Sequence, residues 1–320
     1  MKLISIISVS VAILTLSVST VSYAENQRRI DVDSKVVTEH KARINGERFS
    51  YTATTGTQPV WDDKGDAVAT LQYTYYERDK VDDRTKRPLL ISFNGGPGSA
   101  SVWMHLAYTG PRVLKIDDEG YPIQPYGVKD NPYSVLDIAD IVYVNPVNTG
   151  YSRVVEDKDG KLLSKAEQKE QFFGVKADIK YLAEWLNTFV NRNERWRSPK
   201  FLIGESYGTT RVSGLAHELQ NSQWMYINGV VLVSPTDIKR DGPIKAANRL
   251  PYFAATAWYH KALNANLQAK DLDELLPEVE QFTINELIPA LAKGGFIADD
   301  EKRRIIKKMA QYAGLSETFV

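Results

Sequence analysis

The chain has 320 residues, 43% of them apolar and 10% aromatic, enough to bury a large core in one domain or in a domain that carries an insertion. Lysine plus arginine equals aspartate plus glutamate at 40 each, so no basic excess points to nucleic acid and no block of like charge points to a tail. Cysteine is absent, which excludes disulfides, a thiolate nucleophile, a Cys-based metal site and an acceptor cysteine for lipid.

Lys2 is the only charge before Glu25, and residues 3–18 are largely apolar. Ser22-Tyr23-Ala24 places small residues at the two positions a signal peptidase reads. Residues 1–24 therefore read as a signal peptide, and the protein as exported to the periplasm or secreted. A retained membrane anchor is the alternative. Five Ser and Thr among residues 3–18, with the cleavage site, favour removal. No later stretch is long and apolar enough to span a bilayer, so no stable membrane insertion is expected.

Residues 25–45 are mostly polar and read as a loose leader. Residues 48–55 and 67–76 alternate enough to be strands, with Thr70, Gln72 and Thr74 set against Leu71, Tyr73 and Tyr75. Asp62-Asp63-Lys64-Gly65 is the turn between them. Short apolar runs at 89–93, 138–144, 201–203 and 230–233 suit buried strands. Between the second and third of these runs lies the clearest helical pattern. Ser164 and Glu167 form a capping box, and apolar residues recur from Phe172 to Val190 at three- and four-residue spacing. Only Lys176 interrupts that face. Residues 209–219 read as a second helix. Strand, helix, strand, helix, strand is the parallel α/β pattern, which assigns residues 46–236 to an α/β core. Residues 237–320 change character. They are helical and rich in Ala, Leu, Glu and Lys, and read as a helical cap insertion in which the chain ends.

Two glycine motifs carry chemistry. Gly204-Glu205-Ser206-Tyr207-Gly208 follows an apolar run, as in a strand that turns sharply into a helix with the serine hydroxyl pushed out of the sheet. Alone it is weak, since three fixed positions match by chance about once in ten chains of this length. An ordinary Gly-flanked helix start is the alternative. Asn94-Gly95-Gly96-Pro97-Gly98 follows the run at 89–93. There a Gly-rich turn can aim bare backbone N–H groups at a developing oxyanion, and a plain Gly/Pro turn is the competing reading. In this class one donor comes from that loop and the other from the residue after the nucleophile, here Gly96 and Tyr207.

Four ordered blocks resemble the serine carboxypeptidase family. They are Asn94-Gly95-Gly96-Pro97-Gly98 with Gly110-Pro111, Asn131-Pro132-Tyr133-Ser134, Asn148-Thr149-Gly150-Tyr151-Ser152 and Gly204-Glu205-Ser206-Tyr207-Gly208. The resemblance implies an α/β-hydrolase fold, a mostly parallel central sheet flanked by helices, with the helical stretch as a cap. It implies Ser206 as the acyl-forming nucleophile and Gly96 and Tyr207 as oxyanion donors. Asn94, the Gly95 backbone and Glu205 would hold the free carboxylate of a peptide's last residue. No metal and no cofactor is implied. The partner is a peptide with a free C-terminus, and the oligomeric state stays open. Glu205 beside a substrate carboxylate works only when one of the two is protonated. Activity should then be highest at acidic pH, and a neutral optimum unmoved by Glu205→Gln argues against this reading.

The chain departs from the family at three positions. Ser92 stands where a Trp is usual, Tyr108 where a second Glu is usual, and Ser99 where a Cys often follows the loop. The first two belong to the carboxylate site, which leaves room for an esterase or acyltransferase using the same acyl-enzyme. A non-catalytic protein that binds carboxylate-ended peptides is the third reading.

The fold's triad runs Ser, Asp, His along the chain. After Ser206 come only His217, about 16 Å along a helix and out of reach, and His260 in the helical insertion. Asp237 and Asp241 follow the strand at 230–233, where a surface turn explains them as well. His40 and His105 precede the serine. The expectation is an N-terminal fragment, with the last strands, the acid and the base beyond Val320, and with trace turnover at most.

Overall fold

The computed structural model describes residues 31–236 and 242–320. The signal-peptide segment at 1–24, with Asp237 and Asp241, lies outside the described residues. The chain divides into two compact units, Met1–Pro235 and Thr236–Val320.

The first unit begins with strand β1 (Ser34–Ile44), paired antiparallel with β2 (Glu47–Trp61) through the Asn45-Gly46 turn. Both turn residues have positive φ, 47° and 85°, as a two-residue hairpin of this hand requires. This corrects the loose leader expected over 25–45 at residues 34–44, which form a strand. The segment is polar because β1 is an edge strand, exposed along most of its length.

β3 (Ala67–Arg78) continues the antiparallel run. The parallel part follows: β4 (Leu89–Phe93), β7 (Asp140–Val144), β9 (Lys200–Glu205) and β10 (Gly229–Val233). Among the described residues the order across the sheet is β1-β2-β3-β7-β4-β9-β10, and the short β8 (Arg153–Val154) pairs with β3. A separate hairpin of β5 (Arg112–Leu114) and β6 (Val128–Asp130) has no counterpart in the sequence reading.

Alternation along β4 sends Leu89, Ile91 and Phe93 to one face and Leu90 and Ser92 to the other. On the first face, Leu182, Trp185, Leu186, Phe189 and Val190 of α2 (Val175–Arg192) pack with Val212, Leu215 and Leu219 of α3 (Tyr207–Ser222). On the second, Tyr51, Tyr76, Leu90 and Tyr143 meet Met104 and Leu136. This mixed, mostly parallel sheet with flanking helices is the α/β-hydrolase fold that the resemblance implied.

The helical pattern from Ser164 to Val190 is interrupted. The capping box starts α1 (Lys165–Phe172), but Phe173 is extended and Gly174 sits at φ 114°, which L side chains rarely adopt. A new helix starts after it. Lys176, expected to break the buried face, is exposed, and the buried charge is Asp178.

Where β7 begins, Asp140 accepts from Arg87 Nε at 2.7 Å and from Arg195 Nη1 at 2.6 Å. Arg195 also donates to the Tyr75 hydroxyl, Ser198 Oγ and the Arg87 carbonyl. All of these side chains are buried, and loss of solvent drives the Tyr75 phenol far above its ordinary range.

The second unit is helical, with α4 (Pro243–Ala247), α5 (Leu250–Tyr259), α6 (Ala265–Gln268), α7 (Leu272–Phe282), α8 (Ile288–Lys293) and α9 (Asp299–Ala313). Its core joins Leu250, Ala254, Leu275, Val279, Phe282 and Ile305. No helix among the described residues is long and apolar enough to cross a membrane.

Candidate active site

Ser206 stands between β9 and α3 at φ 57° and ψ −125°. A non-glycine residue in such a conformation stores about 1–3 kcal/mol, held here by its surroundings. Ser206 N–H donates to the Val233 carbonyl at 3.0 Å. The Ser206 carbonyl accepts from Thr209 N–H at 2.9 Å and from its hydroxyl at 2.7 Å. A Cβ on Gly204 would overlap the Gly208 carbonyl, which is the crowding expected of this turn.

The glycine loop leaves β4 and presses on the elbow. A Cβ on Gly95 would fall 2.5 Å from Tyr207 N and 2.9 Å from Ser206 Cβ, so only hydrogen fits. The Gly95 carbonyl accepts from Ser99 N–H at 3.1 Å. In a trans peptide the following N–H points the opposite way, so the Gly96 N–H is turned away from Ser99. Asn94 uses both ends of its amide. Its Oδ1 accepts from Met104 N–H at 2.9 Å and its Nδ2 donates to Glu205 Oε2 at 3.0 Å. Asn94, Gly95, Glu205, Ser206 and Tyr207 are thus brought together, and Gly96 follows on the exposed side of the loop.

The other sequence blocks are scaffolding for this corner. Asn131 Nδ2 donates to the Tyr108 and Gly110 carbonyls at 2.9 and 2.8 Å, and Ser134 Oγ to the Thr109 carbonyl at 2.7 Å. Ser152 Oγ donates to the Asn145 carbonyl at 2.7 Å, and Asn145 Oδ1 accepts from Ser101 N–H at 2.9 Å. These bonds fix the chain that follows the glycine loop.

Two residues that the sequence reading missed stand behind the loop. Arg211 on α3 is 1% exposed and Asp178 on α2 is 5% exposed. Arg211 Nε donates to Asp178 Oδ2 at 2.8 Å and Nη2 to Oδ1 at 3.3 Å. Its remaining donors reach the loop, Nη1 to the Asn94 carbonyl at 2.8 Å and Nη2 to the Pro97 carbonyl at 3.2 Å. The guanidinium lies 5.2 Å from the Tyr207 ring and 5.6 Å from that of Phe93. Burial raises the Tyr207 phenol above its usual range, with the Asp178 charge adding to it. The signal was one charge on the buried face of each of two helices, Asp178 four residues before Leu182 and Arg211 four before Leu215.

Of the two family departures expected to bear on a carboxylate site, Ser92 is fully buried and its Oγ has no hydrogen-bond partner among the described residues. Tyr108 is 56% exposed at the end of a π-helical turn, Met104–Thr109. That turn also carries His105, whose Nε2 is 2.7 Å from the Tyr76 hydroxyl and whose ring stacks on Tyr143 at 4.4 Å. Desolvation pushes the imidazole down to about 4. His40 meets Thr38 and Tyr51, and His217 is exposed on α3 beside Asn221. His260 is exposed at the end of α5 against Tyr259.

A cavity of about 130 Å³ adjoins the loop and elbow, lined by Pro97, Val147, Phe172, Tyr181, Tyr207 and Arg211 among others. A larger hollow of about 790 Å³ is lined by charged residues of β1–β3 such as Arg43, Arg48 and Arg78 and includes no residue of either motif. Chemistry rather than size therefore marks the candidate site. Among the described residues no group of three or more His, Asp or Glu could hold a metal ion.

Residues 60–286 match the family model described as serine carboxypeptidase. Serine carboxypeptidase-like 8 of Arabidopsis thaliana is 28% identical over 161 residues, 49% of this chain and 33% of the relative. Serine carboxypeptidase-like 19 of the same plant is 27% identical over 202 residues, 59% of this chain and 38% of the relative. The matches therefore span about a third of the length of these curated relatives. A prohormone-processing carboxypeptidase from Saccharomyces cerevisiae aligns in three dimensions with a TM-score of 0.49 and 17% identity, covering 83% of this chain and 53% of that one.

Proposed function

The chain belongs to the serine carboxypeptidase family, and on that premise we propose that it carries the nucleophile, oxyanion donors and carboxylate clamp of an enzyme that removes C-terminal residues from peptides. The observation that carries the reading is the Asn94–Glu205 hydrogen bond, 3.0 Å long, made beside a glycine loop packed directly on the Ser206 turn. A substrate carboxylate placed against Asn94, the Gly95 N–H and Glu205 brings its last peptide bond toward Ser206. Ser206 Oγ attacks that carbonyl carbon, and the oxygen that becomes negative is met by the Gly96 and Tyr207 N–H groups. Losing one such donor typically costs about 3 kcal/mol of transition-state stabilisation. The C–N bond breaks as the proton given up by Ser206 Oγ is passed to the leaving nitrogen, the last residue leaves as a free amino acid, and water then releases the acyl group and returns a proton to Ser206.

Carboxylate recognition is tested by titrating an N-blocked dipeptide with a free C-terminus, and its C-terminal amide, into the 320-residue chain. The acid is expected to bind at least about tenfold tighter at acidic pH, a difference of about 1.4 kcal/mol. That preference should weaken as pH rises in the parent and lose its pH dependence in Glu205→Gln. Equal binding of acid and amide at every pH sinks the reading. Turnover by the 320-residue chain is expected only in traces, unchanged by His260→Ala. Robust hydrolysis that this substitution abolishes would make His260 the base.

Ester or acyl transfer through the same acyl-enzyme is the second reading, favoured by exposed Tyr108 and buried Ser92, neither of which adds a carboxyl group to the clamp. Faster turnover of esters than of free-acid peptides would select it. The apolar stretch at 3–18 and Ser22-Tyr23-Ala24 support export, tested by whether the mass of the native protein places its start at Glu25.

A further inference from the structure

We propose that Arg211, held by Asp178, is a positioning residue that aims the Gly95 N–H at the substrate's terminal carboxylate. This rests on the carboxypeptidase reading and extends it to a pair of side chains behind the site.

The argument runs through the peptide planes of the loop. Arg211 Nη1 holds the Asn94 carbonyl at 2.8 Å, on the α3 side. The Asn94–Gly95 peptide carries its carbonyl and its N–H in opposite directions, so anchoring one aims the other. The Gly95 N–H is therefore directed away from Arg211. The same guanidinium holds the Pro97 carbonyl at 3.2 Å, so both ends of the Asn94–Pro97 stretch are tied to one planar group. A cation on the Asn94 carbonyl also polarises that peptide, which makes its N–H a stronger donor to an anion.

Asp178 makes the anchor directional. Its two oxygens take Nε and Nη2, leaving Nη1 and the rest of Nη2 facing the loop. The fork is rigid and planar, and a lysine at this position could not reach Asp178, Asn94 and Pro97 at once. The Tyr207 ring 5.2 Å away ties the guanidinium to the helix that begins at the nucleophile. Loop and nucleophile are thereby referenced to a single buried charge.

The test uses the 320-residue chain labelled with ¹⁵N, the N-blocked dipeptide acid and its amide. The parent should prefer the acid, and the acid should shift the Gly95 amide resonance. Arg211→Lys should cut the acid preference about tenfold while amide binding holds, and should move the Gly95 resonance even without peptide. Removing one member of a buried pair can unfold a chain, so the double variant Asp178→Asn, Arg211→Gln is the second probe. It leaves no lone buried charge and should show the same loss of acid preference. If both variants keep the acid preference and only melt earlier, the pair is structural and the inference is wrong, while the carboxypeptidase reading stands. If the parent itself shows no acid preference, that reading falls and takes this inference with it.

Discussion

Two buried arginines do the same chemistry at different places in the first unit. Arg195 and Arg211 are both almost inaccessible, both pair with a buried aspartate, and both donate to backbone carbonyls. Arg195 spends its donors on Asp140, Tyr75, Ser198 and the Arg87 carbonyl, groups at the entry to the central strands. Arg211 places two of its four bonds on the Asn94 and Pro97 carbonyls of the glycine loop, which packs against the Ser206 turn. The first joins the segment after α2 to strands of one sheet. The second joins a helix to the glycine loop, whose backbone N–H groups are the proposed ligands of substrate. A buried ion pair therefore says little about role until the carbonyls it holds are named.

The contrast is broken most strongly at Asp140. Asp140→Ala leaves Arg87 and Arg195 buried without their carboxylate, and removal of one partner of such a pair costs about 3–5 kcal/mol. Urea unfolding should show that loss, while the protein that remains folded keeps its acid-over-amide preference. A changed preference would mean that this network also shapes the site.

His105 sharpens the comparison with pH. Burial holds its pKa at about 4 in the folded chain, against about 6.5 when unfolded. Between these values the unfolded chain binds a proton that the folded chain does not, so stability falls as pH drops from about 6.5 toward 4. His105→Gln should flatten that acid limb in thermal melts from pH 4 to 7. An unchanged limb would assign the acid sensitivity to other groups.

Ser92 gives the smallest effect. Its hydroxyl is buried without a partner among the described residues, unlike the donors of the two arginines. Ser92→Ala should leave stability unchanged or raise it by up to about 1 kcal/mol, since an unmet hydroxyl is costly to bury. A clear loss would show that a buried water satisfies it.

Much of the fold was legible because apolar runs bounded by turns became β4, β9 and β10, and because the capping box at Ser164 marked a true helix start. The run at 230–233 is a strand but not the buried one expected, since β10 stands at the end of the strand order and exposes Val230, Val231 and Leu232. β1 was hidden because an edge strand exposes both faces and so lacks alternation. The break at Gly174 was hidden because apolar spacing on either side of it stays in register. The adjacency of Asn94 and Glu205 was implied by the family resemblance of the motif blocks, although 111 positions separate them. The Asp178–Arg211 pair was not seen, because nothing local marks two opposite charges on separate helices as partners.

The contact at Gly95 also governs how this protein can change. A single added methyl there would collide with the Tyr207 backbone, so loop and elbow cannot drift apart in sequence and must be inherited as one block. Tyr133 and Tyr151, in two neighbouring blocks, are 81% and 76% exposed and carry no such constraint on their rings. New preferences for substrate would enter a lineage through exposed positions of that kind, while the packed corner of loop and turn is passed on unaltered.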